Sequence, residues 1–188
     1  MIRKRLEMSA ATKALLKFIA PLTSKEERSA IGAAVKVLSD ELSQRFQVFP
    51  VELRIEKPPT PNSPPKRRLS VLIFDYDKRR TTEVLLDTEG NLVQKTDLTG
   101  FQPAFLKQEI QQARDIAEKD ERVAAAIRSR GTFASAFGPH DHGKPGARLV
   151  GLRYAAVDRK NIRLLGEAVV DLSDLKLVNF ETTQKERD

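Results

Sequence analysis

The sequence predicts an α+β protein made of two tandem units, each a helical element packed on a small antiparallel sheet. Three observations carry that expectation. A hairpin whose first strand ends in aspartate occurs twice, about 84 residues apart: Val84-Leu85-Leu86-Asp87 leads into Gly90 to Asp97, and Ala168-Val169-Val170-Asp171 leads into Asp174 to Glu181. Ahead of each copy stands a stretch with apolar residues at helical spacing, as a duplicated supersecondary unit requires. Within each half the strand-like runs follow one another through turns and loops, the pattern of an antiparallel meander. The expected division is an N-terminal arm over residues 1–20, a first unit over 21–99, a second over 100–182 and a tail over 183–188.

In the arm, the spacing of Leu15, Leu16, Phe18 and Ile19 predicts a short basic amphipathic helix over Ala10 to Ile19, which suits either a docked arm or a targeting segment, and Met8 offers a second start. The first unit opens on Thr23-Ser24-Lys25-Glu26, a capping box in which threonine and glutamate satisfy the orphan amides of a helix start. Ile31, Ala34, Val35, Leu38 and Leu42 continue as one apolar stripe, predicting a helix to about Gln44. Phe46, Val48, Val51, Leu53 and Ile55 mark one strand interrupted by Pro50, which implies a bulge or an edge because proline cannot donate to a ladder. The proline-rich run from Pro58 to Pro65 is a stiff extended connector, either a long hairpin loop or a ligand for a proline-reading partner. Strands through Leu69, Val71 and Ile73, then Thr82, Val84 and Leu86, precede the tight turn Thr88-Glu89-Gly90-Asn91 into a fourth.

In the second unit, Leu106, Ile110, Ala113 and Ala117 hold helical spacing, and Asp120 caps a second short helix through Val123, Ala124 and Ile127 that Gly131 stops. Glycines and prolines between Thr132 and Ala147 predict a loop, with a further strand admitted at Thr132 to Phe137. Leu149 to Val157, Ile162 to Val170 and Leu175 to Phe180 alternate as three strands.

Few sequence features suggest chemistry. The net charge is +7, and two basic clusters stand out: Lys66-Arg67-Arg68, placed at the end of the proline-rich loop, and Lys78-Arg79-Arg80, placed in a hairpin turn. These six are the candidates for an anion-binding patch, and with them for a nucleic-acid partner, although no exposed aromatic ladder accompanies them. His140 and His142, one residue apart between Gly138-Pro139 and Gly143, are the only candidate metal ligands. The flanking glycines and proline leave the pair unfixed, so a polar loop without metal is the expectation. Asp75, Asp77, Asp87 and Asp97 fall at strand ends and turns, where aspartate caps backbone amides. With two histidines in one loop, no nucleophile elbow and no phosphate-cradling glycine loop, neither an enzyme site nor a cofactor is expected. The absence of cysteine excludes disulfides and fits a reducing compartment such as the cytoplasm. No apolar run approaches the roughly 20 residues of a membrane span.

Several short runs, in order, resemble the second and third small domains at the N-terminal end of copper-containing amine oxidases. Pro21-Leu22-Thr23 is similar to the opening of that region, and Gly100-Phe101-Gln102-Pro103-Ala104-Phe105 to the linker between its two domains. Glu118 to Gly131 resembles the family's run of a valine, an alanine-leucine pair and an arginine-glycine, and Arg148-Leu149-Val150 with Val169-Val170-Asp171-Leu172 completes the likeness over about residues 20 to 182. The resemblance implies two cystatin-like units. In that family catalysis belongs to a larger C-terminal domain with a topaquinone-forming tyrosine, a catalytic aspartate and three copper-binding histidines. The chain ends at Asp188, and its two tyrosines, Tyr76 and Tyr154, lie in expected strands outside any cofactor-forming motif. The expectation is therefore a noncatalytic module that binds a protein partner or itself. The alternatives are an accessory subunit docking on a separate amine oxidase polypeptide and a basic nucleic-acid-binding protein.

Overall fold

A computed structural model describes residues 20–58, 60, 65–128, 132–139, 145–158 and 161–183. The chain is α+β, with helices α1 (Ser24–Val37), α2 (Lys107–Ala117) and α3 (Glu121–Ala126) and two antiparallel sheets. The first sheet holds β1 (Phe46–Val48), β2 (Glu52–Glu56), β3 (Lys66–Asp75), β4 (Arg80–Leu86) and β5 (Leu92–Leu98). The second runs β6 (Thr132–Phe137), β7 (Leu149–Asp158), β8 (Asn161–Asp171), β9 (Lys176–Thr182), each strand beside its sequence neighbour.

Compactness groups residues differently from a single cut at Gly100. One unit gathers the described parts of Met1–Glu41, Pro50–Leu72 and Glu83–Thr96; the other gathers Leu42–Phe49, Ile73–Thr82 and the described parts of Asp97–Asp188.

At the start of α1, Thr23 Oγ1 accepts the Glu26 amide at 3.2 Å while a Glu26 carboxylate oxygen accepts the Thr23 amide at 2.8 Å, so both halves of the capping box form. Ala30, Ala34 and Leu38 bury the stripe of α1. The helix stops at Val37, short of Gln44, through a tightened last turn in which Leu38 and Ser39 donate to carbonyls three residues back. Beyond it, the Ser43 amide donates to Asp75 at 2.8 Å instead of to a helical carbonyl. The strand expected from Phe46 to Ile55 is two strands, and the sheet has five strands where four were expected. Between the pairs Val48↔Ile73 and Glu52↔Ser70 the outer chain advances one residue more than β3, which is a bulge around Pro50 on the sheet edge. Lys66, Arg67 and Arg68 belong to β3 and not to the loop before it.

In the second unit, α2 packs on β7, β8 and β9, and α3 on β8 and β9. Asp120 accepts the Arg122 amide at 3.0 Å, the expected N-cap of α3. The admitted strand at Thr132 to Phe137 exists as β6. β9 begins one residue after the expected Leu175, because Leu175 turns the chain with φ 54°. Val150, Leu152, Tyr154, Ala168, Val170 and Phe180 are buried. Register places Arg153 and Glu167, which pair at 2.6 Å, on the face opposite the alternating Leu152 and Ala168.

Asp87, just after β4, and Asp171, the last residue of β8, do cap their hairpins. Asp87 accepts the amides of Glu89 and Asn91 at 2.9 and 2.8 Å, and Asp171 those of Ser173 and Asp174 at 2.8 and 3.3 Å. No helix among the described residues is long and apolar enough to cross a membrane.

Candidate functional site

The strongest convergence of polar side chains lies in the second unit, on Arg148. Its backbone is held at the start of β7 by the turn after β8: its amide donates to Ser173 Oγ at 3.1 Å, and its carbonyl accepts the Leu172 amide at 2.9 Å. Its fully buried guanidinium grips Glu109 of α2 in a fork, Nε to Oε1 and Nη2 to Oε2, both at 2.8 Å. Nη1 donates to the Pro103 carbonyl at 2.6 Å and Nη2 to that of Ala104 at 3.3 Å. Phe105, Phe49 and Phe74 surround the cation with ring centroids 4.6, 5.4 and 5.5 Å away, replacing water with π faces.

Glu109 is engaged on its other lone pairs as well. Tyr76 Oη donates to Oε1 at 2.8 Å, and the Leu106 amide at the start of α2 donates to Oε2 at 2.9 Å. Tyr76 in turn meets Phe74 edge-on at 5.2 Å and lies under Arg45, whose guanidinium donates to the Leu172 and Ser173 carbonyls at 2.7 and 2.9 Å. The network thus ties the turn after β3, the start of α2 and the start of β7. A cavity of about 350 Å³ borders it, with Gln102 and Arg148 as polar lining, and Gln102 already donates to the Ala147 carbonyl.

Burial by itself raises the Glu109 carboxyl, but the hydrogen bonds and charge of Arg148, the Leu106 amide and the Tyr76 hydroxyl outweigh it and hold the group below its ordinary 4.5. Burial and the neighbouring Glu109 carboxylate push the Tyr76 phenol up. The unfolded chain therefore binds the Glu109 proton more tightly than the folded one. The stability this carboxylate contributes is complete above pH 4.5 and is lost as pH falls through the folded value. Glu109→Gln is expected to be less stable at neutral pH and to show a shallower fall of the urea midpoint between about pH 6 and pH 3. An unchanged slope would remove Glu109 from the acid limb.

The arrangement is closed: both Glu109 oxygens and the Arg148 guanidinium are taken up by hydrogen bonds to one another, to Tyr76 and to backbone groups. Tyr154, also buried, has a hydroxyl without a hydrogen-bond partner among the described residues and is pushed up to about 12, chiefly by burial and then by Glu118.

Four of the six anion-patch candidates, the arginines, lie beside carboxylates. Arg67 lies 3.5 Å from Glu26 and donates to the Ala20 carbonyl at 2.9 Å, and Arg68 pairs with Glu56 at 2.9 Å. Arg79 pairs with Asp174 at 2.6 Å and Arg80 with Asp97 at 2.9 Å. Lys66 is exposed at the start of β3, and the Lys78 amide donates to Asp75. His140 and His142 lie outside the described residues, among which no group of three or more His, Cys, Asp or Glu side chains could hold a metal. Of the four aspartates, Asp75 and Asp87 cap amides as expected. Asp97 and Asp77 differ: Asp97 takes Thr82 Oγ1 at 2.8 Å along with Arg80, and Asp77 pairs with Arg45 at 3.2 Å.

The Glu109–Arg148–Tyr76 network was not foreseen. A signal for it existed: Glu109 occupies the stripe of Ala113 and Ala117, and a carboxylate on a buried helix stripe demands a cation.

Against known proteins, no family model matches the chain, and no curated protein does. A solved structure does: a copper-containing benzylamine oxidase from Hansenula polymorpha superposes with a TM-score of 0.58 at 13% identity, over 83% of this chain. The chain spans 29% of that oxidase's length, so the shared fold covers a part of it.

Proposed function

We propose that the chain is a noncatalytic protein-binding module, related in fold to the paired cystatin-like accessory domains of copper amine oxidases, and that it works by surface contact. The observation that carries this reading is where the molecule spends its side chains. Its converging polar groups are locked into one another around Arg148, while apolar groups stand exposed on the second sheet: Phe133 on β6, Val157 on β7 and Ile162 on β8, the last 72% exposed. Register sets Val157 directly opposite Ile162 and Phe133 opposite Ala155, so that alternation gathers them on the face that also carries Arg153 and Glu167. Apolar residues clustered in this way mark contact surfaces more often than isolated ones do.

Aspartate at Val157 and Ile162 tests the reading, because both sites are exposed and the folded state tolerates the change. Affinity purification from the source cells with wild-type and V157D/I162D baits is expected to lose a discrete set of partners in the double variant. Identical sets from both baits, or turnover of benzylamine by the purified wild-type chain, would overturn it.

A further inference from the structure

We infer that β6 is a self-pairing edge, joining two copies of this chain into one continuous antiparallel sheet across a two-fold axis. The inference rests on the surface-contact reading above and names one edge and one occupant for it. β6 ends the order of the second sheet, and among the described residues it pairs on one side only, with β7. Edge strands are ordinarily protected by charges, prolines or bulges. The edge of the first sheet along β2 carries Glu52, Arg54 and Glu56 with the bulge at Pro50, β5 carries Lys95 and Asp97, and β9 carries Lys176 and Glu181 with a register shift against β8. β6 has none of these: Thr132-Phe133-Ala134-Ser135-Ala136-Phe137 is uncharged, lacks proline and keeps regular register with β7 throughout.

The sequence of the strand identifies the occupant. Phe133-Ala134-Ser135-Ala136-Phe137 reads the same in both directions. Two antiparallel copies centred on Ser135 therefore place each Phe133 opposite a Phe137 and each Ala134 opposite an Ala136, and a two-fold contact requires this self-complementarity. Phe133, Ser135 and Phe137 share one face, on which Phe137 lies over Gly151 with Arg153 5.3 Å from its ring. Pairing sets the exposed Phe133 of one copy beside that packed ring in the other, an aromatic cross-strand pair on each side of the axis. The strand itself carries no charged side chain, so pairing sets no like charges face to face in a chain of net +7. A ladder of five residues from each copy is smaller than the about 1,200–2,000 Å² of a stable interface, so the dimer dissociates on dilution.

The absence of native cysteine allows a register-specific test with the whole chain. Directly opposed Cα atoms in an antiparallel pair lie about 4.5–5.5 Å apart, within the range of a disulfide, so Ser135→Cys meets its own copy on the axis. On mild oxidation S135C is expected to form covalent dimer much faster than E181C, whose thiol sits on the opposite edge strand. Sedimentation of the wild type over a concentration series is expected to show reversible dimer. S135K weakens it by about fivefold through like charges face to face, and an equimolar mixture of S135K and S135E restores it. A chain that stays monomeric at its highest soluble concentration, or S135C linking no faster than E181C, overturns the inference. Either failure leaves the V157D/I162D result standing, so self-pairing and partner binding fail separately.

Discussion

Arg148→Met is expected to destabilise the protein by about 3–5 kcal/mol, because it leaves the Glu109 carboxylate buried without its cation. The Pro103 and Ala104 carbonyls lose their donor in the same step. Replacing both partners, Arg148→Met with Glu109→Leu, is expected to recover much of that loss, since a buried pair exchanged for apolar groups of similar volume is often neutral. Tyrosine emission in a urea titration suits the measurement: tryptophan is absent, and both tyrosines, Tyr76 and Tyr154, belong to the unit that contains Arg148. A single variant within about 1 kcal/mol of wild type would show that water satisfies Glu109 and that the network is not closed.

Gly146→Ala is expected to cost roughly 2–4 kcal/mol, from two effects that add. Gly146 holds φ at +75°, where a Cβ is disfavoured, and a Cβ there would stand 2.5 Å from the carbonyl oxygen of Arg79, backbone that cannot swing aside. Gly32 in α1 provides the contrast. Nothing lies within 4 Å of a Cβ built on it, so Gly32→Ala is expected to stabilise by about 0.5–1 kcal/mol through helix propensity. Equal midpoints for the two variants would contradict both accounts. Denaturation of G146A and G32A beside wild type decides it.

What could be read from the sequence was local. The capping box at Thr23, the cap at Asp120, the interruption at Pro50 and the paired hairpins ending in Asp87 and Asp171 all depend on neighbours a few residues away, and all took the form that their side chains dictate. What could not be read depends on distant partners. The end of α1 is shaped by Asp75, 32 residues on, which captures Ser43. Lys66 to Arg68 look like a basic loop until β3 pairs with β2 and gives Arg68 its Glu56. The Arg148 site joins residues 39 apart and draws its aromatic walls from three segments, beyond the reach of any spacing rule. Alternation does mark β6 weakly, whereas the symmetry of its last five residues becomes meaningful only once the strand is known to lie at an edge.

The walls around Arg148 also bear on how the polypeptide could be dissected. Phe49, Phe74 and Tyr76 precede Gly100, whereas Glu109 and Arg148 follow it. A fragment starting at Gly100 would inherit the ion pair and Phe105 without the other two rings or the phenol that close it, and would open a charged seam to solvent. Expression boundaries drawn at the linker would sever a shared interior, whereas grafting residues 42–49 and 73–82 onto the C-terminal half would keep that interior whole.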